Sequence, residues 1–341
     1  IENIIPALPP VAEATKYLQA AEQECFSLGL TGVVDCGVKA DVIALLKQLY
    51  AQDKLSIANS VLLAQDDSTL KTYAADGFYK KGQFQINGIK LYADGALGSR
   101  GACLLKEYQD MPGHWGMLLS DMSKMKEIAT LAKAHNLQLC THAIGDSANR
   151  TILRLYSQFL PKNNDLRWRI EHAQVVDYQD YNWFSTYKIV PSVQPTHAIS
   201  DMPWAGDRLG NDRLPTAYAY KKLLEQNGWI ALGTDFPVEA INPIATFYTA
   251  VARKDKNGNP ENGFLAENKL SRKEALLGMT YWAAKSVFWE KEKGSLEPGK
   301  DADIIILDKD IMQVSEGELL TTNVIQTIVK GKTVYKKTGA K

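Results

Sequence analysis

Short apolar runs rich in Val, Ile and Leu alternate along the chain with longer segments in which apolar residues recur every three to four positions. The short runs suit strands buried on both faces, and the longer spacing suits helices with one buried face. They predict seven strands, at 31–36, 55–63, 86–94, 137–142, 168–172, 189–194 and 229–235. Helices are predicted between them at 40–52, 121–136, 148–160, 215–227 and 243–253, several opening with Asp, Asn or Ser near an N-cap position. This alternation is the signature of βαβ units around a parallel sheet. No G-x-G-x-x-G follows the first strand, and the strand spacing suits a barrel with insertions better than an open dinucleotide-binding sheet.

After a long helical segment at 272–291 the pattern changes. The turn-rich stretch Gly294-Ser295-Leu296-Glu297-Pro298-Gly299-Lys300 leads to predicted strands at 303–308 and 324–335, the latter folded back at Lys330-Gly331-Lys332. The expected division is therefore an α/β barrel over 1–290 and the β-strands of a small sandwich over 291–341.

Composition narrows the function classes. The chain has 341 residues, 45% of them apolar and 23% charged, as in an ordinary globular protein. Its 39 basic and 39 acidic residues cancel, so no net field favours nucleic acid or an anionic membrane as partner. No apolar stretch approaches the roughly 20 residues that span a bilayer. Cys25, Cys36, Cys103 and Cys140 form no C-x-x-C pair and are expected to be free thiols.

Histidine is scarce, with five in the chain, so its placement carries information. His142, His172 and His197 each fall at or just past the end of a predicted strand, and Asp235 ends the last one. In a parallel barrel these ends converge on the face that carries active sites. Imidazole and carboxylate on rigid elements are ligands of catalytic zinc. His114 and His135 are expected at the surface or at a helix end. Lys90 lies inside an apolar strand, where a charged amine is costly to bury. It can pair with Asp94 or Glu171, lose its proton, or take up CO2 as a carbamate able to bridge two metal ions.

These residues sit in segments that resemble the amidohydrolase superfamily, in its amidohydrolase-3 branch with N-substituted formamide deformylase-like enzymes. The similar segments are Gly88-Ile89-Lys90-Leu91-Tyr92-Ala93-Asp94-Gly95, Thr141-His142-Ala143-Ile144-Gly145-Asp146, Arg169-Ile170-Glu171-His172, Gln194-Pro195-Thr196-His197 and Gly233-Thr234-Asp235-Phe236-Pro237, together with the tail stretch from Gly294. The resemblance implies a (β/α)8 TIM-barrel metallohydrolase with a composite sandwich, and a divalent metal, zinc foremost, as one or two ions. Lys90, His142, His172 and Asp235 match its metal ligands, with Asp235 also the catalytic proton carrier. Asp94, Gln194 and His197 are placed around a small-molecule substrate.

One departure stands out: the His-x-His pair of the superfamily's first strand occurs nowhere in the sequence. The predicted strand at 31–36 fits the second strand of the family, after a helix at 12–28. The chain is thus expected to be the C-terminal part of a longer protein, lacking the first barrel strand. A barrel so opened needs its edges covered, by that segment, by a swapped element or by a homo-oligomer contact. The implied activity is hydrolysis of a C–N bond, amide or formamide-like, by water activated on metal. A non-catalytic fragment with an incomplete metal site is the alternative, and so is a lactonase or isomerase on the same barrel.

Overall fold

A computed structural model describes residues 9–338, so positions 1–8 and 339–341 of the two expected spans lie outside the described residues. The expected βα alternation is present. Strands β1 (Gly32–Val38), β2 (Ala58–Leu63), β3 (Tyr79–Lys81), β4 (Phe84–Tyr92), β5 (Gln138–Ala143), β6 (Arg169–His172), β7 (Val190–Val193) and β8 (Ala231–Leu232) form one sheet. All but β3 pair in parallel and in sequential order from β1 to β8, which curls the sheet into an open barrel of the TIM type. Among the described residues β1 and β8 stand at the two ends of the sheet without pairing with each other. Val34, Asp35 and Cys36 of β1 are exposed, unlike the fully buried β2 beside it.

Side-chain alternation sorts the strands into two faces. Val61, Leu63, Ile89, Leu91, Leu139 and Ile170 join the apolar core beneath the helices. Their neighbours Lys90, Cys140, His142, Arg169 and Glu171 therefore occupy the other face, the inside of the curl. Its lining is polar below the rim: Arg169 Nε donates to Glu171 Oε1 at 2.8 Å, with both side chains buried.

Two predicted helices are broken, the first where a long-range contact acts. The segment predicted at 215–227 is a 3₁₀ turn at Leu214–Thr216 followed by a helix over Tyr220–Asn227. Tyr218 between them takes φ +52°, because its amide donates to Gln174 O at 2.6 Å. The segment predicted at 272–291 divides into Arg272–Met279 and Tyr281–Ser286 at Thr280, whose φ of −122° and ψ of −90° leave the helical range. The short β3, antiparallel to β4, was not expected from the pattern.

Beyond residue 290, β9 (Ile304–Leu307), β10 (Val324–Val329) and β11 (Lys332–Lys336) make a separate antiparallel sheet in the order β11-β10-β9. Its hairpin turns at Lys330 and Gly331, both at positive φ, as the twist of paired strands requires. The N-terminal helix, Val11–Ser27, packs on this sheet, and Thr327 Oγ1 donates to Phe26 O at 2.6 Å.

Candidate active site

The strand ends bring most of the singled-out residues together. Lys90 lies two residues before the end of β4, and His142 near the end of β5 pairs in register with Tyr92 and Glu171. His172 is the last residue of β6. Alternation alone would turn it toward the helices, opposite to Glu171. Its φ of +76°, rare for a residue with a Cβ, swings it over the rim instead. The rings of His142 and His172 meet edge to face at 4.6 Å, and those of His172 and His197 stack at 5.7 Å.

His197 does not end a strand. Gln194 follows β7 as the N-cap of the short helix Pro195–Ser200, and His197 sits in that helix's first turn, buried, at the same rim. Asp235 lies three residues past β8 at φ +59°, its Oδ2 3.4 Å from His197 Nε2. One donor atom each from His172, His197 and Asp235 fall within 4.8 Å of one another.

Gln194 faces an imidazole. Its Oε1 is 2.7 Å from His172 Nδ1, while its own amide nitrogen donates to Ser192 O at 3.3 Å. Asp94, fully buried, accepts hydrogen bonds from the amides of Cys103 at 2.8 Å, Ile144 at 3.0 Å and Gly145 at 2.8 Å. It thereby ties the loop after β4 to the turn after β5, with its Oδ1 3.6 Å from His142 Nε2. Burial pushes the Asp94 carboxyl up, to about 7, against the pull of those amides.

Lys90 is 5% exposed and has no carboxylate within 4.0 Å among the described residues, so neither expected ion pair forms. Its Nζ lies 5.1 Å from the Tyr92 ring centre, and Glu171 is taken by Arg169. Burial, followed by the Lys90 charge, lowers His142 to about 4. Burial, then His142 and Lys90, holds His172 well below the usual imidazole range. Both rings are thus neutral at pH 7, the form that binds metal.

Two contributors were not singled out from sequence. One is the Arg169–Glu171 pair below His172, for which the signal was an i, i+2 opposite charge on a strand. The other is Gly145. A Cβ there would lie 2.0 Å from the Cys103 carbonyl oxygen, a backbone atom that cannot rotate away. Gly145→Ala is expected to cost about 1–3 kcal/mol by overpacking and to detach the turn from Asp94. Urea unfolding checks this, and an unchanged midpoint would mean that the close approach is not present.

Residues 2–335 match the profile of the Amidohydrolase family. The chain belongs to the amidohydrolase family. It is 30% identical to YtcJ of Bacillus subtilis (strain 168), over 98% of this chain and 64% of that one. It is 24% identical to the N-substituted formamide deformylase of Arthrobacter pascens, over 96% of this chain and 61% of that one. An uncharacterized metal-dependent hydrolase from Pyrococcus horikoshii OT3 superposes with a TM-score of 0.82 at 30% identity, covering 91% of this chain and 62% of the other. The chain spans less than two thirds of the length of each of these three proteins.

Such a family implies a divalent metal, and the donors at the rim fit one. The Nε2 atoms of His142 and His197 are buried without a hydrogen-bond partner, an expensive state unless another group meets them. Neutral imidazoles with a carboxylate are the ligand types of catalytic zinc. Among the described residues no helix is long and apolar enough to cross a membrane.

Proposed function

We propose that the protein hydrolyses a C–N bond, of the amide or formamide type, in a small molecule, using a divalent metal, zinc by preference, at this rim. The observation that supports the reading best is the convergence of His172, His197 and Asp235 beside His142 and Lys90. The kinship with an N-substituted formamide deformylase favours amide chemistry over the other reactions that such a barrel can host. Lys90, His142, His172 and Asp235 are the residues that would hold a divalent ion, which when bound would lower the pKa of a water and polarise the scissile carbonyl.

Proton traffic falls to Asp235. Its side chain is about a third exposed, unlike the buried His172 and His197, so it can reach both solvent and substrate. It takes the proton released as water adds to the carbonyl carbon and delivers it to the nitrogen as the C–N bond breaks. Tyr92 and Phe236, both exposed large side chains on rim segments, offer apolar surface to the substituent. The expected result is amine release from N-substituted formamides or amides that stops on chelation and returns with Zn²⁺. Turnover that ignores chelators, or turnover of lactones but of no amide, would sink the reading.

For Lys90, a carbamate is expected only while metal is bound, since an emptied site leaves it free to lose CO2. Labelling with ¹³C-bicarbonate should give a lysine carbamate signal that disappears on chelation. A signal that persists in metal-free protein would break this coupling.

A further inference from the structure

We propose that Glu239 selects substrates whose amine half carries a positively charged group, an ammonium separated from the scissile nitrogen by a short alkyl spacer. The proposal rests on the hydrolase reading above and deepens it, naming the substituent that the rim receives.

Two elements put Glu239 beside the reacting centre. In the turn after β8 its amide donates to the Asp235 carbonyl at 3.3 Å, which folds residue 239 back toward Asp235. From the other side, Ser200 Oγ donates to Glu239 Oε1. Ser200 and His197 lie three residues apart on the helix Pro195–Ser200, and so on one face of it. His197 Nε2 stands 3.4 Å from Asp235 Oδ2. Ser200 therefore holds Glu239 one turn along from that contact, about 5 Å away.

The direction of proton transfer decides which half of the substrate meets Glu239. Asp235 hands its proton to the leaving nitrogen, so the amine half lies on the Asp235 side of the scissile bond. An ammonium on a spacer of about three carbons is about 6 Å from the carbonyl carbon, a reach that matches one helical turn.

Charge at this spot is unbalanced. Glu239 is half-buried, and among the described residues it has no Lys or Arg within 4.0 Å. Asp201, next to Ser200, adds a second carboxylate, whose Oδ2 accepts from Tyr218 at 2.8 Å and from Gln174 at 3.2 Å. Arg253, behind the Tyr220 ring, is committed to the Phe264 and Tyr218 carbonyls. Lys90 stands over Tyr92 on β4. A carboxylate left without a cation at a substrate mouth favours one on the ligand. Phe236, exposed in the turn between Asp235 and Glu239, presents a ring that attracts cations as well as alkyl chains. An exposed ion pair would be worth less than about fivefold in affinity, but Glu239 is half-buried and held by Ser200, so it has less freedom to lose.

The probes are singly formylated trimethylenediamine, whose free amine is protonated at neutral pH, and N-butylformamide, which carries a methyl group in place of the ammonium. Their dissociation constants are measured by titration calorimetry on the metal-free 341-residue chain, so the result does not depend on turnover. We expect the ammonium compound to bind about 10–100-fold more tightly at low salt, as a hydrogen bond between charged groups allows. The advantage should shrink as salt is raised. Glu239→Gln should bring the two constants within about threefold of each other. Ser200→Ala, which frees the side chain but keeps its charge, should retain part of the preference. Circular dichroism checks the fold of both variants. Equal or undetectable binding of the two compounds to the wild-type chain, or a preference that survives Glu239→Gln, would overturn the proposal. The metal-loaded chain then separates the two readings through kcat/KM. Hydrolysis of both compounds at equal kcat/KM would overturn the role of Glu239 and leave the hydrolase reading standing. Hydrolysis of neither, with the binding preference intact, would support Glu239 as the ammonium contact and count against the hydrolase reading.

Discussion

Asp235→Asn is expected to lower kcat by at least about 10²-fold in the metal-loaded amidohydrolase. Proton transfer by a positioned side chain is worth about 10²–10⁴-fold, and Asn can neither take the proton from water nor hand it to nitrogen. The substitution is otherwise mild. Asn tolerates the left-handed backbone at φ +59°, and the turn in which the amides of Val238 and Glu239 donate to the Asp235 carbonyl does not involve the side chain. The measurement is kcat and KM on an amide substrate, with metal content determined on the same sample. A fall in kcat at full metal occupancy assigns the loss to proton transfer, whereas a fall that tracks lost metal assigns Asp235 to ligation alone. Near-normal kcat would remove Asp235 from both roles.

Much of the barrel was legible because its strands are buried runs of apolar residues, which a parallel sheet covered by helices requires. The same logic located the rim: a residue that ends such a strand must face one end of the barrel, so His142 and His172 could be placed there without coordinates. The break at Tyr218 was not legible, because the contacts that hold it lie in Gln174 and Arg253, more than thirty residues away. Nor could sequence show which way a rim side chain turns. His172 follows Glu171 directly, and period-two alternation would send it away from the site but for a positive φ that no local residue type demands. His197 reaches the cluster from a helical turn rather than a strand, which its proximity to a predicted strand end does not distinguish. Gln194 carries an amide that could meet substrate or protein equally well, and only its neighbours decide.

The Arg169–Glu171 pair beneath the rim leads to the second large effect. Glu171→Ala is expected to destabilise the protein by about 3–5 kcal/mol, as removal of one partner of a buried ion pair does. Burial raises the Glu171 carboxyl, but Arg169 and then Lys90 outweigh it and the net shift is downward, so the pair is ionised. Without Glu171, the Arg169 guanidinium, 2% exposed, cannot reach water, and its other acceptor, the Ser286 carbonyl, is 3.5 Å away. Native stabilities of about 5–15 kcal/mol make such a loss a large fraction of the whole. Replacing both partners by apolar residues, Arg169→Met with Glu171→Leu, should recover most of it, because no charge is then stranded. Urea unfolding of the single and double variants, by fluorescence and circular dichroism together, checks both statements. A single variant within about 1 kcal/mol of wild type would show that water or a moving side chain already solvates Arg169. A double variant no better than the single would show that the loss comes from packing of β6 rather than from the unpaired charge. The double variant also separates stability from chemistry. Glu171 lies one residue before His172 and its charge faces Lys90, so a stable double variant with altered metal affinity would show that the pair tunes the rim electrostatically as well as holding up β6.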